Sequence, residues 1–264
     1  MKMKSFNQFP DKTKKSIRYV LTDIDDTLTI DGRLPAGVFT AMERLAGAKI
    51  RTIPITGRPA GWCDHIARMW PIDSLVGENG AFYFRYDNES RKMLRRYFKT
   101  DEQRMTDRGR LEKLKAEILK KVPGCRVSAD QAFREADLAI DYCEDIERLS
   151  PQDIRAIVTC FEKAGAQAKV SSIHVNGWFG DYDKLTMTAM LFEEVFGRRL
   201  EDVHQNVIYI GDSPNDEPMF SYFSHSVGVA NVMRFEGLME CYPAWVTERE
   251  GGYGFAEMVD GLLA

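Results

Sequence analysis

Five short, nearly continuous apolar runs limit what this chain can fold into: "SIRYVLTD" (16–23), "KIRTIPIT" (49–56), "NVIYIGD" (206–212), "SVGVAN" (226–231) and "AWVT" (244–247). Runs of this length without polar alternation suit strands buried on both faces, as in a parallel sheet covered by helices. Helical patterns separate or follow them, over 35–47, 59–69, 184–196, 214–220 and 252–263. Pro35, Pro59 and Pro214 each suit the first turn of a helix, where a missing N–H costs nothing. Strands alternating with helices predict an α/β fold with a doubly wound, Rossmann-like parallel-sheet core.

The middle of the chain follows another pattern. "AFYFRYD" and "KMLRRYF" look like the two arms of a hairpin, and 103–121 is a long charged helical stretch. A strand at 138–143, a helix at 151–164 and a strand at 168–175 follow. This predicts an α+β insert over 87–177 within a core formed by 1–86 and 178–264. The insert is net positive and the remainder net negative, which suggests two parts facing each other.

The overall charge of −4 among 264 residues argues against a nucleic-acid binder, which would carry a basic excess. No apolar run approaches the ~18 residues of a membrane span, and none of signal-peptide length follows the basic start, so residues 1–15 read as a loose lead-in. Five scattered cysteines, odd in number and without a CxxC pair, suggest reduced thiols and a cytoplasmic protein.

Three polar clusters stand at the carboxyl ends of predicted strands: "DIDDT", "ITGRP" and "GDSPND". Open α/β sheets bind their ligands at that edge. Asp23 and Asp25, two apart, could converge on one face, although a turn at Ile24 could redirect Asp25. Asp212 and Asp216 would add carboxylates at the same edge. So much negative charge calls for a compensating cation, and hard oxygen donors suit Mg²⁺. Lys184 supplies a fixed positive charge, while Thr56 and the N–H groups after it, at Gly57 and Arg58, offer donors to a phosphate. A carboxylate beside Mg²⁺ can accept a phosphoryl group, and a second can act as acid and base. Each cluster alone also reads as a turn or a helix cap; their joint presence favours chemistry.

The set DxDxT (Asp23, Asp25, Thr27), Thr56, Lys184 and GDxxND (Gly211, Asp212, Asn215, Asp216) resembles the haloacid dehalogenase superfamily of phosphohydrolases. The insert is similar to the α/β cap of its type IIB, Cof-like members, among them sugar-phosphate phosphatases and phosphomannomutases. The ending "GGYGFAEMV" is similar as well. The resemblance implies Asp23 as nucleophile, Asp25 as general acid/base, and Thr56 and Lys184 on the phosphoryl group, with Asn215 positioning groups nearby. It implies Mg²⁺ on Asp23, the backbone carbonyl of Asp25 and Asp212, with Asp216 in support. Asp26 stands where many members have Gly, and its charge must be solvated or paired. His174 and Asn176, where the insert returns to the core, and Asn79 in "GENGA" are further candidates for substrate contact. The expected activity is a Mg²⁺-dependent phosphatase for a small phosphorylated metabolite, most simply a sugar phosphate. The competitors are a phosphomutase and a non-catalytic binding protein on the same fold.

Overall fold

The computed structural model describes residues 3–264. Six parallel strands form the central sheet, in the order β1 (Lys4–Ser5), β13 (Trp245–Val246), β12 (Ser226–Gly228), β11 (Val207–Gly211), β2 (Tyr19–Thr22), β3 (Arg51–Pro54). Successive strand residues point to opposite faces, and both faces here are covered. Val20, Ile208 and Ile210 enter one apolar cluster with helices Ala36–Gly47, Ala60–Met69 and Gly251–Leu263. Tyr19, Leu21, Val207 and Tyr209 enter the other with helices Lys184–Phe196 and Glu217–Tyr222. Burial on both sides is why these strands read as unbroken apolar runs.

An isolated bridge between Ile55 and Val76 extends this sheet to a three-stranded antiparallel one, β4 (Leu75–Gly77), β5 (Phe82–Asp87) and β6 (Lys92–Tyr97). Phe82 and Phe84 of β5 pack into the first cluster and Tyr83 into the second. A separate four-stranded antiparallel sheet has the order β7 (Arg126–Val127), β8 (Leu138–Asp141), β10 (His174–Trp178), β9 (Gln167–Val170). Helices Asp101–Lys121 and Pro151–Lys163 cover one of its faces through Leu111, Leu114, Ile118, Ile157 and Phe161, packed on Leu138, Ile140 and Val175. His174 and Asn176, the neighbours of Val175, therefore point to the other face.

Several local expectations are corrected. Pro35 and Pro59 are N-caps in extended conformation, so their helices begin one residue later. Pro214 opens a short 3₁₀ turn, and the helix proper is Glu217–Tyr222. The single strand expected over 168–175 is two strands, β9 and β10, paired antiparallel around Ser171–Ser172–Ile173. The Ser171 hydroxyl accepts the His174 backbone N–H at 3.0 Å, a local bond that competes with an extended ladder. The lead-in read as loose is built in from Lys4 onward: β1 pairs with β13, and Phe6 and Phe9 are buried and stacked. Among the described residues no helix is long and apolar enough to cross a membrane.

Candidate active site

The chain leaves β2 for β3 on one side and later returns to β11 on the other, so β2 is the topological switch point. Crevices for ligands open there, beyond the carboxyl ends of the strands. Asp23 is the first residue past β2, and its N–H donates to the Ile210 carbonyl at 2.9 Å. Asp212 is the first residue past β11. Asp23, Asp212 and Asp216 are buried, and each offers a carboxylate oxygen within 4.8 Å of the others. Lys184 opens its helix behind the Asp183 N-cap and places Nζ 2.8 Å from Asp23 Oδ1 and 2.8 Å from Asp216 Oδ1.

One ammonium faces three carboxylates, and the titration of the group reflects that imbalance. Burial pushes Asp23 up to about 7, against the pull of Lys184 and aided by the charges of Asp216 and Asp25. Burial, with the charges of Asp216, Asp23 and Asp26, pushes Asp212 well above the carboxylate range. Asp216 is fully engaged: it accepts from Lys184, from the Tyr209 hydroxyl, and from the backbone N–H of Asp212 (3.1 Å) and Ser213 (3.3 Å). It thereby folds the 211–216 turn onto the site. Gly211 has to be glycine for this, since a Cβ would stand 2.4 Å from Asp216 Oδ2.

Asp212 accepts from Thr27 Oγ1 (3.0 Å) and Asn231 Nδ2 (3.3 Å). Asn231 also donates to the Asp26 carbonyl and accepts the Gly251 N–H at 2.9 Å. Gly251 has φ +49°, and a Cβ there would lie 2.6 Å from the Thr29 carbonyl; a Cβ on Gly252 would lie 2.5 Å from that of Leu28. The last helix thus starts flush against the turn that follows Asp23. Asn231 ends one of the apolar runs, yet as a lone strand-end amide it carries no pattern of its own.

The turn after Asp23 does redirect Asp25. Its carboxylate is held by Arg58, from Nε at 3.0 Å to each oxygen and from Nη2 at 2.8 Å. Arg58 also reaches Glu144 (3.1 Å) beyond β8 and lies 4.5 Å from the Trp62 ring centroid. The sequence grouped the Arg58 position with phosphate; in this structure its side chain is committed to Asp25. The Thr56 hydroxyl is fully buried and accepts the Arg58 N–H at 3.0 Å, and the Gly57 carbonyl accepts from Arg134 Nη1 at 2.9 Å. Asn79, at φ 55°, donates its N–H to the Thr56 carbonyl and packs beneath Gly57, with its side-chain amide nitrogen unpartnered. Asn215 accepts from the Ser213 hydroxyl at 2.8 Å.

The four-stranded sheet contributes from above. His174 Nε2 is 2.8 Å from Glu144 Oε2, in ion-pair range but out of line for a hydrogen bond. His174 and Arg58 together hold Glu144 below the usual carboxylate range. Asn176 Nδ2 donates to Asp137 Oδ2 at 2.9 Å. Arg134, also buried, pairs with Asp130 (2.8 Å) and Asp137 (3.0 Å). Glu78 accepts N–H groups from Ala60 (2.9 Å), Glu135 (2.9 Å), Ala136 (2.6 Å) and Asp137 (3.2 Å), which satisfies a buried carboxylate and ties the two sheets together. Arg134, Glu144, Asp137 and Glu78 were not legible as site residues. Between the layers lies a chamber of about 20 Å³, bounded by Asp23, Asp25, Arg58, Arg134, His174 and Asn215.

No protein-family model and no curated protein matches the sequence. Solved structures do match in fold. The C-terminal domain of the Candida albicans trehalose-6-phosphate phosphatase aligns over 99% of this chain and 98% of its own, at 14% identity and a TM-score of 0.70. The Synechocystis sucrose-phosphatase, solved with sucrose and phosphate, aligns over 92% and 97%, at 14% identity and a TM-score of 0.62. A haloacid dehalogenase-like hydrolase from Bacteroides thetaiotaomicron aligns over 92% and 98%, at 16% identity and a TM-score of 0.64.

Proposed function

From the haloacid dehalogenase-like fold of this chain, we propose that it is a Mg²⁺-dependent phosphatase of a small phosphorylated metabolite, with sugar phosphates as the substrate class. The observation that carries the reading is the buried Asp23–Lys184–Asp216 cluster with Asp212, set at the switch point of the sheet. Burying carboxylates in excess of their counter-charge is costly unless something pairs them. The phosphatases of similar fold support the substrate class.

The donor set fits a hard divalent cation: all-oxygen ligands, convergent, with charge left over after Lys184 is counted. Asp23, Asp212 and the carbonyl of Asp25 would hold it, and Asp216 would support them by fixing the 212–213 backbone. Mg²⁺ bound there supplies charge neutralisation that lets a carboxylate approach a phosphoryl dianion. In the reaction Asp23 forms a bond to phosphorus while the bond to the leaving oxygen breaks. Asp25 gives that oxygen a proton, then takes one from the water that splits the acyl phosphate. Lys184, the N–H groups after Thr56 and Asn215 hold the phosphoryl oxygens. The Arg58 guanidinium is bonded to both Asp25 oxygens, so it must release one before Asp25 can hand a proton to the leaving group. Within 87–177, the four-stranded sheet and its two helices act as a cap that excludes water, and His174 and Asn176 face the chamber from it.

The test is a phosphate-release screen over phosphorylated metabolites with Mg²⁺, with products analysed for isomers. Free phosphate from a sugar phosphate supports the reading. Isomer without phosphate makes it a mutase, and silence on every substrate, including an aryl phosphate, returns the chain to the binding class.

Two further results are expected. Asp25→Asn lowers kcat by ~10²–10⁴-fold, the usual scale for a lost general acid/base. Mg²⁺ binding, measured by calorimetry, survives because the proposed ligand there is a backbone oxygen. Near-normal rates would reject the role.

The second result concerns pH. Asp23 has its folded value raised from 3.8 to about 7. Between those values the metal-free folded protein keeps a proton that the unfolded chain releases, so stability falls as pH rises through that window. Mg²⁺ needs the deprotonated carboxylate. It therefore raises the melting temperature more at a pH of about 8 than at about 5.5, with about 2.7 kcal/mol expected at ~100 times Kd in the favourable case. Equal shifts at both pH values would separate Asp23 from the metal.

A further inference from the structure

Three side chains that carry or can take up positive charge line the chamber over Asp23: Arg58, Arg134 and His174. Each already has an acidic partner. Arg58 Nη2 donates to Asp25 at 2.8 Å and to Glu144 at 3.1 Å. Arg134 lies 2.8 Å from Asp130 and 3.0 Å from Asp137. His174 Nε2 is 2.8 Å from Glu144. Glu144 itself is held in place. The buried Asp141 carboxylate accepts the N–H groups of Cys143 (2.8 Å), Glu144 (2.7 Å) and Asp145 (2.9 Å), which fixes the turn that carries it. Two of the acidic partners stay charged. His174 and Arg58 keep Glu144 below the usual carboxylate range, and Arg134 does the same for Asp130 against the effect of burial. Lys169, opposite Asn176 in the ladder and so on the same face of the sheet, is exposed and lies outside the chamber lining.

We infer that the site takes monophosphates whose leaving group carries no charge of its own, turns away those with a carboxylate or a second phosphate, and uses Glu144 to enforce the choice. The inference rests on the phosphatase reading above and narrows its substrate class. A second anionic group brought under the cap loses hydration and needs a cation in exchange. Here it meets guanidinium groups already shared between carboxylates, with the Glu144 charge close behind them. Repulsion between buried charges is little screened by salt. An uncharged polyol has no such difficulty. Its hydroxyl groups donate to carboxylate oxygens and accept from the Ser171 and Ser172 hydroxyls that line the chamber. Selection of this kind comes from a penalty on the wrong ligand rather than from an added contact to the right one. A mutase has to hold a second phosphate during turnover, so the same lining weighs against that competitor.

The experiment compares 4-carbamoylphenyl phosphate with 4-carboxyphenyl phosphate, two esters of one shape that differ by one charge. Phosphate release is measured on the full chain with Mg²⁺, as wild type, Glu144→Gln and Lys169→Ala. In the wild type kcat/KM for the amide exceeds that for the carboxylate by about tenfold or more, as like-charge repulsion requires. Glu144→Gln removes the charge, keeps the shape and still accepts from Arg58, and it brings the ratio down several-fold. A variant that merely loosens the cap slows both esters alike and leaves the ratio where it was. Lys169→Ala does not move it. A wild-type ratio near one or below overturns the inference, and so does an unchanged ratio in a folded Glu144→Gln. A ratio that rises in Lys169→Ala shows that this lysine receives the second anion, and overturns it too. If the wild type releases phosphate from neither ester, the phosphatase reading fails first and takes this narrowing with it.

Discussion

Asp23→Asn stops phosphate release, by ~10⁴-fold or more as expected for loss of a nucleophile, while the protein stays folded. The amide has the shape of the carboxylate and can still accept from Lys184 Nζ, which lies 2.8 Å from Asp23 Oδ1. What it loses is a lone pair able to form an acyl phosphate. Stability is kept because burial already disfavours a charge here, to the point of raising Asp23 to about 7. The check is twofold: thermal melting of the variant without metal, and trapping of the wild type during turnover followed by mapping of the phosphorylated residue. Phosphate on a serine or histidine would sink the mechanism; phosphate on Asp23, with a folded and inactive Asn variant, establishes it.

Lys184→Ala has the second largest effect, and it falls on stability as well as rate. Lys184 is buried, and its ammonium form is favoured by Asp216 and Asp23. Removing one partner of a buried ion pair costs ~3–5 kcal/mol, because the other charge is left without compensation. Here two carboxylates are left, and the Tyr209 hydroxyl and two backbone N–H groups still hold Asp216 in place. Urea unfolding measures the loss. Adding Asp216→Asn recovers a good part of it by removing one of the stranded charges, and recovers no activity. Mg²⁺ likewise restores stability more than turnover. Lys184→Arg does not rescue fully, since a planar fork cannot occupy the point where both oxygens lie 2.8 Å away. Wild-type kinetics in Lys184→Ala would remove the residue from the site.

The strands that carry Asp23 and Asp212 were legible because each is buried on two faces and spells that out locally. Lys184 and the 212–216 turn were legible for a different reason: the motifs that hold them are short and contiguous. What escaped was long-range or very short. Arg58 meets Asp25 across 33 residues and Glu144 across 86, and no local pattern announces a charge pair at such separations. Glu78 looks like a surface acid until Ala60 and the 135–137 backbone close around it. The two- and three-residue strands β1, β4 and β7 are below the length at which a period of two can be seen. The 171–173 turn was hidden because a serine is also acceptable within an edge strand, so Ser171 and Ser172 do not by themselves break the run; the Ser171 hydroxyl decided otherwise. That turn is what brings His174 and Asn176 to the chamber, so the two candidates were found without the geometry that explains them.

The contact of Gly251 and Gly252 with the turn after Asp23 also bears on when activity can first appear during synthesis. The ribosome makes Asp23 long before Asn231 and Gly251, but Asp212 is held by Asn231, and Asn231 by the Gly251 N–H. A nascent chain released before that helix has formed carries Asp23, Asp25 and Thr56 in sequence, yet has nothing to close the carbonyls of Leu28 and Thr29 against. In such a fragment Asp212 lacks the Asn231–Gly251 brace, so the site proposed for phosphoryl transfer is completed only after helix Gly251–Leu263 has formed.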